Sequence, residues 1–261
     1  MSSRFSLIPG LHPSGYAREI LFKVKADTLP IQPIEIAESL GLITDEKEFP
    51  DDRYDGLFMR IGEQGLIAVN KRISYESRKR FTYAHELGHA TIKGHSDLEH
   101  RCTPRDIFRF NCVNKKEREA NEFASELLMP TKFFLEDIKK REFNFATLEE
   151  LAECKYETSL TATAIRFVKE TLERCAVILV VNGIVEWGVK SSSFRFEIKT
   201  RKPVSENTFA WDYFNGGHQL DGKPERVLSN AWLNTSNPNS LVYESSKSFG
   251  NLGMVLTLLW L

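Results

Sequence analysis

Residues 75–92, YESRKRFTYAHELGHATI, constrain this chain more than any other stretch. No proline interrupts them, and Phe81, Ala84, Leu87 and Thr91 recur at helical spacing with Gly88 beside Leu87, which predicts one helix with an apolar or small face. On such a helix His85 and His89, four residues apart, lie on one side. Two imidazoles so placed can ligate a single Zn²⁺, and HELGH is then H-E-x-x-H. Glu86, beside the metal, is positioned to take a proton from an activated water and deliver it to the leaving amine of a peptide. The alternative is a chance pattern on a solvated helix, which the small face formed by Ala84 and Gly88 disfavours.

A catalytic zinc needs a third protein ligand and an open position. Residues 115–128 predict a second helix, with Ala120, Phe123, Ala124, Leu127 and Leu128 in one apolar stripe and Pro130 at its end. At about 100° per residue, Glu117 and Asn121 fall at one edge of the stripe and Glu119 points away. Glu117 can therefore face inward as the ligand, with Asn121 bonding a ligating histidine from behind. His95 is a rival, six residues after His89 as in H-E-x-x-H-x-x-G-x-x-H, but the glycine of that pattern is replaced by Ile92 and Gly94 stands two residues later. Glu119 is a further candidate, while Glu122 and Glu126 read as an outer, solvated flank.

Around these helices the chain reads as follows. After an irregular start, 33–40 predicts a short helix opened by Pro33, and 57–61 and 66–69 predict two strands about a turn between Gly62 and Gly65. Residues 147–171 predict two helices broken at 156–159. Beyond Cys175 the pattern changes to strands: Asn182-Gly183 marks a hairpin, the alternation of Phe194, Phe196 and Ile198 a third strand, and 253–261 a buried closing strand.

RFTYAHELGHA followed by EREANEFASELLMP resembles the ImmA/IrrE family of zinc metallopeptidases, and LPIQPIEIAESLGL, GLIAVN and LEELAECKYETSLTATAIRFV extend the resemblance over about 29–190. It implies a mixed α/β peptidase core, and with the strand pattern beyond Cys175 the expected fold is α+β: a helical zincin-like metallopeptidase core with a small sheet, followed by a strand-rich C-terminal module. It implies Zn²⁺ held by His85, His89 and Glu117, Glu86 as general acid and base, and a protein substrate of one class, a helix-turn-helix transcriptional repressor whose cleavage relieves repression. The expected division is a peptidase domain over 1–174 with a helix-turn-helix-like extension, then a regulatory or partner-selecting module over 175–261. A non-catalytic zinc-containing sensor that controls a transcription factor by complex formation is the competing expectation.

Composition narrows the setting. The net charge of -1, from 35 Lys+Arg against 36 Asp+Glu, removes any global attraction to phosphate, so direct DNA binding is not expected. Arg166 and Lys169, on the second helix of the 148–168 pair where Ala152 and Ile165 look like packing residues and Tyr156 sits in the turn, make no basic cluster. Four widely spaced cysteines without a CxxC pair suggest a reducing cytoplasm. The first thirty residues lack a signal-peptide core and the apolar run 254–261 is too short to span a bilayer, so a soluble cytoplasmic protein with no membrane partner is expected. His100, Cys102 and Cys112 lack the paired spacing of a structural zinc site. Trp187, Trp211, Trp232 and Trp260 read as core of the C-terminal strands, and Lys199, Arg201 and Lys202 as a solvated turn.

Overall fold

The computed structural model describes residues 8, 10–50, 54–95, 99–102, 114–237, 239–249 and 253–261, and their helices and sheets make an α+β protein. It divides into two compact units, Met1–Phe134 with Ala152–Ser159 and Leu135–Leu151 with Leu160–Leu261. Among the described residues no helix is long and apolar enough to cross a membrane.

In the first unit the irregular start read from the sequence is instead a helix, α1 (Pro13–Lys23). Pro13 occupies the first turn, where its missing N–H has no intrahelical partner to lose, and Tyr16, Ala17, Ile20 and Leu21 form its buried face. Then come α2 (Pro33–Ser39), β1 (Ile43–Lys47), β2 (Gly56–Ile61), β3 (Gln64–Asn70), α3 (Glu76–Thr91), β4 (Glu99–Cys102) and α4 (Lys115–Leu128). The four strands form one sheet in the order β1-β3-β2-β4, with β1 parallel to β3 and β2 antiparallel to β3 and β4. Both long helices lie within one or two residues of where periodicity and Pro130 put them.

Phe58, Ile67 and Val69 of the sheet, Ala84 and Leu87 of α3, and Phe123, Ala124 and Leu127 of α4 are fully buried in one core. Leu87, Phe123 and Leu127 each contribute roughly 1.5–3 kcal/mol by leaving water. A Cβ at Gly88 would stand 3.1 Å from Phe123 Cδ1 and 3.3 Å from the Ala120 Cα, so α3 and α4 approach closely because one has no side chain there and the other a methyl. That approach sets what each helix can offer the other.

After α4, α5 (Thr131–Ile138) begins on a buried carboxylate, which corrects one expectation. Glu126 is 1% exposed, not on the solvated flank. Its oxygens accept from Thr131 N at 3.1 Å and Thr131 Oγ1 at 2.7 Å, satisfying donors at the start of the next helix.

The second unit holds α6 (Phe145–Glu149), α7 (Leu160–Glu170), β5 (Cys175–Val181), β6 (Ile184–Lys190), β7 (Glu197–Ile198), α8 (Phe209–Gly216), β8 (Glu225–Leu228), β9 (Leu233–Asn234), β10 (Leu241–Ser248) and β11 (Met254–Trp260). Five strands form an antiparallel sheet in the order β6-β5-β11-β10-β8. The hairpin turns at Asn182 and Gly183, with φ of 48° and 78° as a type I′ turn requires. The closing strand is internal to the sheet, so its apolar run is buried on both faces.

The third strand is shorter than its alternation predicts: only Glu197–Ile198 pairs, with Leu233 and Asn234 of β9. Phe194 is buried without ladder bonds, because alternation reports which side chains face a core and not whether a neighbouring backbone is there to pair. Trp187 and Trp232 are buried, whereas Trp260 is half-buried and stacks on Tyr243 at 5.5 Å. The Lys199 ammonium bonds the Asn230 carbonyl and so is no free solvated charge. Glu244, fully buried, accepts from Trp232 Nε1 at 2.7 Å, Phe209 N at 3.1 Å and Ser246 Oγ at 2.8 Å. Burial pushes its carboxyl up to about 7.

Candidate metal centre

The spacing within α3 does what helix geometry requires: His85 and His89 present Nε2 atoms 3.1 Å apart. α4 brings Glu117 to them. Its N-cap is Asn114, whose side chain accepts from Lys116 N, and Glu117 lies in the first turn of the helix. Glu117 Oε2 lies 3.2 Å from His85 Nε2 and Oε1 3.5 Å from His89 Nε2. The three donor atoms fall within 4.8 Å of one another, and all three residues are buried.

One contact tests whether a metal fits. Asn121 Oδ1 lies 2.8 Å from His85 Nδ1, so the ring donates there, and in its neutral form its Nε2 carries a lone pair toward Glu117. An imidazole lone pair and a carboxylate oxygen then face each other in a buried space, an arrangement that a shared cation satisfies. Two histidines and one carboxylate also suit a metal that keeps a position open. In the metal-free protein protons take the place of the cation: burial raises the Glu117 carboxyl, but the hydrogen bonds and charges of protonated His85 and His89 outweigh it and hold the group well below the usual carboxylate range, in the ionised form a ligand needs.

Glu86, fully buried, lies against β2. A Cβ on Gly56 would sit 2.6 Å from Glu86 Oε1 and 2.5 Å from Thr82 Cγ2, and Thr82 is itself fully buried. Room for the Glu86 carboxylate therefore depends on a bare backbone at Gly56, a feature that spacing along the chain does not announce. If Glu86 serves as the general base of a metal-dependent hydrolysis, Gly56→Ala is expected to keep the metal but lose about 100-fold in rate, since an ångström-scale displacement of a reacting group is worth that much. Metal analysis beside a cleavage assay checks it, and an unchanged rate would show that Glu86 tolerates the shift.

His95 and Glu119 place no atom in the group of three. The chain leaves α3 with Ile92 at φ −70° and turns through Gly94 at φ +91°, so the glycine two residues later than the known pattern makes the turn. His95 returns to the back of His89, with Nδ1 atoms 3.2 Å apart, and its Nε2 lies 2.8 Å from Glu119 Oε2. Glu122 pairs with His12 at 2.8 Å on the surface. Cys112 lies outside the described residues, and of His100 and Cys102 only the backbone of β4 is described. Tyr156 is a fully buried core residue, and Arg166 is 7% exposed with Nη1 3.0 Å from Glu170, a poor start for gripping phosphate.

A family profile described as IrrE N-terminal-like domain, Peptidase_M78, matches residues 37–167, about half of the chain. A solved structure described as a Mycobacterium tuberculosis transcriptional regulator is similar over 95% of this chain and 75% of its own length, with a TM-score of 0.58 and 12% sequence identity, a likeness of fold. No curated protein matches the sequence significantly.

Proposed function

The chain belongs to the IrrE N-terminal-like, Peptidase_M78 family, and from that premise we propose that it is a cytoplasmic zinc-dependent endopeptidase whose substrate is a helix-turn-helix transcriptional repressor. The supporting observation is the buried convergence of His85, His89 and Glu117, with Glu86 next to the first of them. Zn²⁺ supplies Lewis acidity toward a water molecule and the scissile carbonyl. Glu86 takes the water's proton as the oxygen–carbon bond forms and hands it to the amine nitrogen as the carbon–nitrogen bond breaks, so that one water is consumed and two chain ends result. Asn121 holds the His85 ring, and Glu117 keeps its charge in a buried place.

Cutting a repressor changes transcription without any contact with DNA, which accords with a net charge of -1 and with the burial of Arg166. The free thiols of Cys154 and Cys175 accord with a reducing compartment. In this reading the strands of 175–261 regulate the enzyme or select its partner, supported by the separate compact unit and core to which they belong. The test is incubation of the purified full chain with the helix-turn-helix protein encoded beside its gene. Discrete fragments are expected with zinc and none after chelation. An intact substrate with the zinc-loaded protein, or fragments that persist with chelator, would remove the proposal.

A further inference from the structure

We infer that His95 and Glu119 act as positioning residues that fix the orientation and tautomer of His89 for a metal, an inference resting on the metallopeptidase proposal above. The hydrogen-bond directions follow from the atoms. Glu119 is acceptor-only when ionised and lies 2.8 Å from His95 Nε2, so that nitrogen carries a hydrogen and donates it. A neutral imidazole has one N–H, so His95 Nδ1 is left with a lone pair. It faces His89 Nδ1 at 3.2 Å, and His89 must donate there. His89 Nε2 is then the lone-pair nitrogen, aimed at His85 Nε2 and Glu117 Oε1 at 3.1 and 3.5 Å. The sequence of donations runs from His89 to His95 to Glu119, and it leaves His89 ready to ligate.

Its counterpart on the other ring is the contact from His85 Nδ1 to Asn121. The two supports differ in reach. Asn121 is on the same helix as Glu117, whereas His95 arrives from the turn after α3 and ties that turn to α4 through Glu119. His95 is 2% exposed, and Lys115 Nζ lies 3.5 Å from the second Glu119 oxygen.

The experiment measures zinc affinity of the full-length protein by chelator competition and the visible spectrum of the Co²⁺-loaded form, neither of which needs turnover. His95→Asn keeps an oxygen near the Nδ1 position and should bind zinc within a few-fold of the wild type. His95→Gln moves its amide toward Glu119, leaves His89 Nδ1 without its acceptor, and should bind about 10–100-fold more weakly with an altered cobalt band, as loss of a partner behind a ligating histidine does. Glu119→Leu, changed from the partly exposed end, should fall between the two and opens no hole in the core. Equal affinity and spectra across these variants would overturn the positioning role alone. A wild-type protein that binds no zinc would overturn the metallopeptidase proposal and the positioning role with it.

Discussion

Glu86→Gln is expected to bind metal as the wild type does and to hydrolyse its substrate about 10²–10⁴-fold more slowly, the range that removal of a general base produces. Glu86 is fully buried and stands outside the set of three donors, so an amide of the same shape leaves the ligands alone. What it cannot do is carry a proton from water to the leaving nitrogen. Metal content by atomic absorption and single-turnover cleavage of the proposed repressor substrate check the two halves separately. The same variant decides between enzyme and sensor. If Glu86→Gln relieves repression in cells as well as the wild type, control works through complex formation and hydrolysis is not the mechanism.

Glu117→Ala is expected to lose metal outright, with an affinity loss beyond 100-fold. Partners behind a ligand are themselves worth about 10–100-fold, and a donor atom is worth more. The substitution also removes the carboxylate that faces two buried imidazoles, so the metal-free protein should be destabilised as well. The sign with pH follows from the depressed Glu117 carboxyl. Such a group contributes stability above the ordinary carboxylate range and loses it as pH falls through its own lowered value. His85, lowered by burial but raised overall by the same contact, contributes stability below the ordinary imidazole range and loses it as pH rises. The gap between metal-free wild type and Glu117→Ala should therefore be widest between the two ranges and narrow in stronger acid. Equilibrium dialysis with zinc and unfolding curves from neutral to acid pH measure both effects. Glu122→Ala, at an exposed surface pair, is the control that should retain metal. Full zinc binding by Glu117→Ala would move the third ligand elsewhere.

Much of this site is legible along the chain. His85 and His89 follow from a four-residue spacing, and a rotation of about 100° per residue puts Glu117 and Asn121 on the side of α4 that meets α3. Glu126 shows where that wheel runs out, because its buried carboxylate meets partners on other elements, Thr131 at the start of the helix after Pro130 and Arg18 of α1. Alternation in 194–198 likewise predicts a strand where only Glu197–Ile198 finds a partner. The contribution of Gly56 is invisible in one dimension, since the contact it avoids is with Glu86, thirty residues away in sequence and on another element.

By itself the sequence determined what depends on local geometry: two histidines on one helix face, a carboxylate on the inward edge of a second helix, a hairpin at Asn182-Gly183 and the change from helical to strand periodicity near Cys175. These need only the repeat of the backbone and the residue types. Tertiary structure decided what depends on distance between elements. The close approach of α3 and α4 at Gly88 and Ala120 sets Glu117 against both imidazoles. The turn through Gly94 sends His95 behind His89, leaving it to Glu119 rather than to the three-donor cluster. A side chain's direction on its own helix is a local property, but its partner is chosen by the packing that brings the next helix within a hydrogen bond's length.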